Sequence, residues 1–358
     1  MTVMEAFNAL GLALLVYRLW PRTVQKQNAP IAWPGVSIIV PARNEEKTLP
    51  ALLSSLTSLD YPNFEIIVLN DQSTDKTEQI SSHFPVKIIN GTPKPFDWFG
   101  KPWACHQASL ASTKDYLLFT DADTVHETQS LKQAMAHLLA SNAQGMSAPP
   151  FHLNPSFWEK LLGPFLCFLL ALTDPYGRPR SKRLFAIGQY LLFERSFYTR
   201  IGGHMAIREE AIDDISLAEL TLAHGGKWTV FNADSIYGVR MYESLKDFIA
   251  GWRRNFRGGL KLSSKFSAPE AALYFAALTA VREPSWITLT TTLLSLIFLA
   301  WIQRRYGRFS VWGIFLFPLS LILFTAVTAL ALFDRVLQKP LVWKNRSYPS
   351  GQVPNFPA

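Results

Sequence analysis

Apolar residues fall along this 358-residue chain in two distinct patterns. The first consists of short runs: Val36-Ser37-Ile38-Ile39-Val40-Pro41, Phe64-Glu65-Ile66-Ile67-Val68-Leu69, residues 86–89, and Tyr116-Leu117-Leu118-Phe119. Runs this short, rich in β-branched and aromatic residues, predict buried strands. Helical stretches separate them. One opens at Ala42-Arg43-Asn44-Glu45-Glu46 and runs to about Ser58; another starts near Lys76, with Thr74 and Asp75 placed to cap it. This alternation predicts an α/β chain whose mainly parallel sheet carries helices on both faces. Ligands bind such sheets beyond the carboxyl ends of the strands.

The second pattern is long and nearly unbroken. Residues 4–20 would span about 25 Å as a helix and carry Arg18, Arg22 and Lys26 on their C-terminal flank. No small-residue cleavage site follows, so residues 1–22 read as an uncleaved anchor with the next segment in the cytoplasm. A buried N-terminal helix is the alternative. Residues 285–302 and 310–333 predict membrane spans and residues 268–280 a weaker third, making 268–333 a C-terminal membrane block before a tail at 334–358. Residues 157–172 are apolar but broken by Gly163-Pro164, which predicts a segment lying in the headgroup region. Arg178, Arg180, Lys182 and Arg183 follow it and suit an anionic surface. Span number stays open: two would place Arg304, Arg305 and Arg308 outside, three would place Lys344 and Arg346 there.

The hydrophobic fraction of 49% fits a globular unit tethered to a bilayer better than a soluble enzyme or a channel. A net charge of +8 fits anionic lipid or an anionic substrate. The basic residues are dispersed among apolar spans without a nucleic-acid-binding motif, so nucleic acid is not expected as a partner. The two cysteines, Cys105 and Cys167, sit in unrelated contexts and predict neither a disulfide nor a zinc site.

Candidate chemistry concentrates at the strand ends. Asp121-Ala122-Asp123 follows the fourth strand directly, and hard cations such as Mg²⁺ or Mn²⁺ take carboxylate ligands that they share with substrate phosphates. Asn70-Asp71-Gln72-Ser73-Thr74-Asp75 ends the second strand. The Trp98-Phe99-Gly100-Lys101-Pro102-Trp103-Ala104 stretch reads as a Gly/Pro loop that brings Lys101 near phosphate or sugar, or leaves it as a solvated charge. Gly202-Gly203 invites a tight turn or a close approach by ligand. Asp213-Asp214 opens a helix, where neighbouring side chains point about 100° apart and so serve different ends. Arg253, Arg254 and Arg257 lie among aromatics on an amphipathic helix, suited either to diphosphate or to a bilayer surface. Neither a GxGxxG nor a P-loop pattern is present.

Together, Val40 to Glu46, Asn70 to Asp75, Asp121-Ala122-Asp123, Gly202-Gly203 and Asp213-Asp214 make the chain resemble the membrane-associated glycosyltransferases of family 2, with a GT-A fold over about residues 35–262. The Gly100-to-Ala104 stretch and Trp343-Lys344-Asn345-Arg346-Ser347-Tyr348 are similar to the branch that acts on carotenoid acids or accompanies hopanoid synthesis. The resemblance implies a cytoplasmic catalytic unit in a multi-pass protein of the cell membrane, inverting transfer from a nucleotide-diphosphate sugar (UDP-linked by expectation), a divalent metal, and a lipid acceptor drawn from the bilayer. It also implies roles. Asp71 and the stretch containing Pro41, Ala42, Arg43 and Glu45 would hold the nucleotide, with Lys101; Asp121 would contact ribose or sugar, Asp123 the metal, and Arg254 the diphosphate. Asp214 would be the base, with Asp213 standing where Glu is more usual. The Gln-x-x-Arg-Trp motif of processive synthases is reduced here to Gly251-Trp252-Arg253-Arg254-Asn255. A polyprenyl-phosphate sugar transferase, a polysaccharide synthase and a non-catalytic membrane scaffold remain as alternatives.

Overall fold

A computed structural model describes residues 2–20, 32–177, 184–231, 236–242, 244–259, 285–343 and 346–348. The weaker span expected at 268–280 and the basic run 178–183 lie outside the described residues.

Helix α1 (Val3–Leu19) precedes a seven-stranded sheet made of β1 (Val36–Ala42), β2 (Phe64–Asn70), β3 (Lys87–Asn90), β4 (Tyr116–Phe119), β6 (Gly145–Ser147), β8 (Leu191–Glu194) and β9 (Trp228–Val230). Its order is β3-β2-β1-β4-β8-β6-β9. The pairs β3/β2, β2/β1, β1/β4 and β6/β9 are parallel, while β8 runs antiparallel to both β4 and β6. A smaller sheet joins β5 (Thr124–His126), β10 (Tyr237–Val239) and β7 (Phe151–His152).

Period-2 alternation distributes the strand side chains between two cores. Ile38, Val40, Ile66, Val68 and Leu118 face α2 (Leu49–Thr57) and α5 (Ser130–Ser141). Ile39, Ile67, Leu69, Leu117 and Phe119 face α4 (Gly100–Leu110) and α10 (Asp213–Ala223). Both faces are therefore covered, which is why these strands read as continuous apolar runs. Short helices α3 (Thr77–Ser81), α8 (Arg195–Arg200) and α9 (Gly203–Ala206) fill the connections. Because β1 lies between β2 and β4, the chain leaves it in one direction and returns on its other side; the carboxyl ends of these strands frame the crevice of a topological switch point.

Two helix starts differ from expectation. Residues 43–48 do not begin a helix, since Asn44 takes φ 54° and its amide binds Ser73 Oγ at 3.1 Å, tying this turn to the one after β2. Lys101, expected in a loop, lies in the first turn of α4, where Pro102 costs no intrahelical hydrogen bond.

The apolar segments gather at one side. Helices α6 (Phe157–Lys160) and α7 (Gly163–Thr173) form from the broken block. Helix α11 (Leu245–Gly259) follows β10, and α12 (Trp286–Tyr306), α13 (Trp312–Phe315) and α14 (Phe317–Val336) follow it. By length and composition α12 and α14 are each able to cross a membrane. Helix α12 runs beside α1 in the same direction, with Ser285 Oγ donating to Glu5 at 2.6 Å and Trp20 stacked on Phe298. Cys167, Phe168 and Ala171 of α7, in the segment expected at the headgroups, pack into this pair. Helix α14 rests on α11 through Phe324 with Phe248 and Trp252, and through the Arg253–Asp334 pair. A hairpin of β11 (Leu341–Trp343) and β12 (Arg346–Tyr348) then returns to the sheet edge.

Candidate active site

Four local structures meet at the carboxyl ends of β1, β2 and β4. Strand β4 delivers Asp121 and Asp123; α4 begins with Lys101; the segment entering β8 carries Gly188; and α10 starts at Asp213 and Asp214. The antiparallel register Phe119↔Leu191 brings Gly188 beside the end of β4, and Thr120 Oγ1 fixes it there by donating to Gln189 O at 2.9 Å.

Lys101 joins the two acidic motifs. Its ammonium lies 2.6 Å from Asp121 and 3.9 Å from Asp213, and reaches Gly188 O at 3.5 Å. Burial opposes the charge on Lys101, but Asp121 and Asp213 outweigh it and raise its pKa, so the ammonium is permanent. Asp213 is buried, which works against ionisation, yet Lys101 and His204 bring its pKa down to about 2. His204 stands 3.6 Å away and is oriented by Tyr198, whose hydroxyl lies 2.6 Å from Nδ1. Asp214 turns the other way: the Gly188 amide donates to it at 2.8 Å and the Ile215 amide at 2.7 Å. Burial first, and then ionised Asp213, raise its pKa to about 7. Two adjacent carboxylates whose environments push their pKa values apart divide the labour into a fixed anion and a group able to exchange a proton near neutrality.

Asp123 points to a different use. One of its oxygens is buried without a hydrogen-bond partner among the described residues. Burial, followed by the negative charges of Asp121 and Glu45, holds its carboxyl well above the usual range. A surplus of carboxylate oxygen with an unsatisfied acceptor fits a hard divalent cation. Cys105, His204 and Asp213 also lie within 4.8 Å of one another. That cluster fits a metal poorly: burial pushes the Cys105 thiol up, away from the thiolate a metal needs, and Lys101 already supplies a cation to Asp213.

A second set of expected site residues gathers around the end of β2. Asp71 is buried at the strand end, and its amide donates to Ala42 O at 2.8 Å. Arg43 clamps the same turn from above, donating to Asp71 O at 2.6 Å and Gln72 O at 3.2 Å. Ala42 has no exposed surface, and Pro41 beside it has no N–H to offer. Glu45 supports the turn through its amide on Thr77 and its carboxylate on Thr48. Arg254 of α11, half-buried, sits in the fields of Tyr242 and Asp121.

The sequence expected Lys101, Asp121, Asp123, Asp213 and Asp214 near one crevice, and the structure brings them together. It missed His204 and Tyr198, although His204 directly follows the Gly202-Gly203 turn, where both glycines take positive φ. It also assigned no role to Arg346 and Tyr348, which reach the site from the far end of the chain.

Residues 37–216 match the description Glycosyl transferase family 2, about half of the chain, and this chain belongs to that family and is a glycosyltransferase. Among named relatives, a 4,4'-diaponeurosporenoate glycosyltransferase of Staphylococcus haemolyticus is 30% identical, aligned over 63% of this chain and 62% of its own length. The protein of the same name from Staphylococcus aureus strain MRSA252 is 24% identical over 88% of each. Among solved structures, the mannosyltransferase PcManGT from Pyrobaculum calidifontis, in complex with GDP-Man and Mn²⁺, superposes with a TM-score of 0.58 at 19% identity, covering 94% of this chain and all of the other. That likeness establishes the GT-A-like fold.

Proposed function

We propose that this protein is a membrane-bound inverting glycosyltransferase that moves a sugar from a nucleoside diphosphate, by preference UDP, to a lipid acceptor such as a carotenoid or another isoprenoid lipid. One observation carries the reading: a single lysine joins the Asp121 motif of the donor side to the Asp213-Asp214 pair of the acceptor side. Donor and acceptor chemistry thereby share one crevice. The relatives named for a carotenoid-acid acceptor support the lipid assignment.

In this reading the base sits at Asp71 and Arg43, over a floor formed by Pro41, Ala42 and Glu45. The sugar lies toward Asp121 and Lys101. Asp123 would hold a divalent metal, which when bound would neutralise charge developing on the departing diphosphate. Arg254 meets the same charge from α11. Asp214, with a pKa of about 7, takes the proton of an acceptor hydroxyl as that oxygen attacks the anomeric carbon. Such a base contributes about 10²–10⁴ in rate. Attack opposite the leaving group inverts the centre. Asp213, held ionised by Lys101 and His204, keeps the Asp214 carboxyl basic enough for the task. With a carboxylate acceptor no proton has to move, and Asp214 orients the acceptor.

Residues 35–262 form the catalytic unit on this reading, attached by residues 1–22 and 268–333 and followed by the 334–358 tail. A cytoplasmic placement is supported by the end of α12: the Arg308 amide donates to His152 O of β7 at 2.9 Å, so Arg304, Arg305 and Arg308 lie beside the catalytic sheets, as does Arg18 paired with Asp174. Exposed Trp286, Leu293, Ile297, Leu319, Ile322 and Phe333 offer the apolar surface that a bilayer covers.

The test measures nucleoside diphosphate release by the full-length, detergent-solubilised protein, with a panel of UDP- and GDP-sugars, Mn²⁺ or Mg²⁺, and extracted isoprenoid lipids. Metal-dependent turnover lost in both Asp123→Ala and Asp214→Asn is expected. A protein that binds no nucleotide sugar under any of these conditions sinks the reading.

A further inference from the structure

Arg346 and Tyr348 of β12 lie where nothing in the donor chemistry above requires them. The guanidinium nitrogens Nη1 and Nη2 of Arg346 fork onto Asp71, at 2.6 and 2.9 Å, and Nη2 also donates to Gln72 Oε1 at 3.1 Å. The pair is well shielded, with side-chain exposures of 13% and 5%. Tyr348 anchors it on the other side: its hydroxyl accepts the Gly100 amide at 3.2 Å, its ring stacks on Phe99 at 4.7 Å, and Lys94 lies 5.6 Å over that ring. Arg346 therefore stands between the base-binding carboxylate and the N-terminus of α4, one residue before Lys101.

This placement poses an electrostatic problem that the donor resolves. A buried carboxylate meant to accept a neutral N–H of a nucleobase is costly to leave bare, and Arg346 covers it. When the base takes Asp71, the guanidinium loses its anion as the donor brings its phosphates into the same crevice. Guanidinium forks match phosphate as well as carboxylate. We infer that Arg346 is a donor-recognition residue that exchanges Asp71 for the donor phosphates, so the C-terminal strand β12 belongs to the donor site. The inference rests on the proposed nucleotide site at Asp71 and goes beyond it by naming a phosphate ligand some 275 residues away.

The exchange makes opposite predictions for ligands with and without phosphate. Affinities of the full-length protein for UDP and uridine, and for GDP and guanosine, are measured by calorimetry at fixed salt and metal for the wild type, Arg346→Ala and Arg346→Lys. For whichever pair binds, Arg346→Ala is expected to weaken the nucleoside diphosphate about tenfold or more, the usual loss of a charge-assisted fork. The same variant is expected to bind the nucleoside at least as tightly as wild type, because Asp71 no longer has to be vacated. Arg346→Lys should recover part of the diphosphate affinity, retaining charge without the fork. Tighter binding of both ligands to Arg346→Ala would mean that Arg346 only obstructs the site, and overturns the inference. Equal weakening of both would mean a purely structural role, and overturns it too, as would no change in either. Wild-type protein that binds none of the four ligands removes the nucleotide-site reading itself, and this inference with it.

Discussion

The sharpest consequence of the Asp213-Asp214 arrangement is a pH profile. Asp214 has a pKa of about 7 because it is buried beside a carboxylate that Lys101 and His204 hold ionised. If Asp214 is the base, only its ionised form turns over a hydroxyl acceptor. About nine-tenths of it is ionised at pH 8 and about a tenth at pH 6. With saturating metal, kcat/KM should therefore rise about tenfold per pH unit below 7 and level off above it. Asp214→Asn should lower kcat by roughly 10²–10⁴ and flatten that limb. The assay is nucleoside diphosphate release by the full-length enzyme between pH 5.5 and 9. An acid limb that persists unchanged in Asp214→Asn refutes the assignment. A small loss with no limb near 7 identifies a carboxylate acceptor, which is already ionised across this range. Stability supplies a second reading with definite sign. The folded pKa of Asp214 lies above the unfolded value, so its contribution is full below about pH 4 and is lost as pH rises through 7. Asp213 behaves oppositely: its contribution is present above about pH 4 and is lost as pH falls toward 2.

Three further substitutions follow from the same geometry. Lys101→Met leaves buried Asp213 and half-buried Asp121 without their shared cation, which should cost about 3 kcal/mol in denaturant melts and abolish turnover; an unchanged melt would mean the lysine is not a bridge. Gly188→Ala would set its Cβ 2.5 Å from Lys101 Nζ, so kcat should fall at least about tenfold while the melt moves less than in Lys101→Met. Wild-type rates in that variant would show that the ammonium position is irrelevant. Arg254→Ala should lower kcat/KM by about 10²-fold, the usual effect of removing a donor aimed at developing charge; a change confined to membrane binding would assign the helix to the bilayer instead.

The local parts of this protein are legible in its sequence because local physics sets them. The runs at 36–41, 64–69 and 116–119 are strands since both faces of a covered parallel sheet must be apolar. The acidic motifs follow the strand ends because that edge alone is open to a ligand. Asp213 and Asp214 start a helix, as the dipole favours. The family resemblance rests on those same motifs, and the match over residues 37–216 covers them. Partnership is what the sequence leaves open. Nothing local says that Lys101 turns inward from α4 to join Asp121 and Asp213, or that His204 orders behind Asp213. Residues 43–48 look helical by composition, but they are held as a turn by Ser73 and by Thr77 at the start of α3. Arg346, given no role by its place in the tail, becomes the counter-ion of Asp71 because α14, packed along α11, carries the chain back to the sheet edge. The sequence by itself determined which groups could do chemistry and on which edge. Only the tertiary structure decided which of them share a charge, because those contacts join segments far apart in the chain whose apolar faces had first to pack.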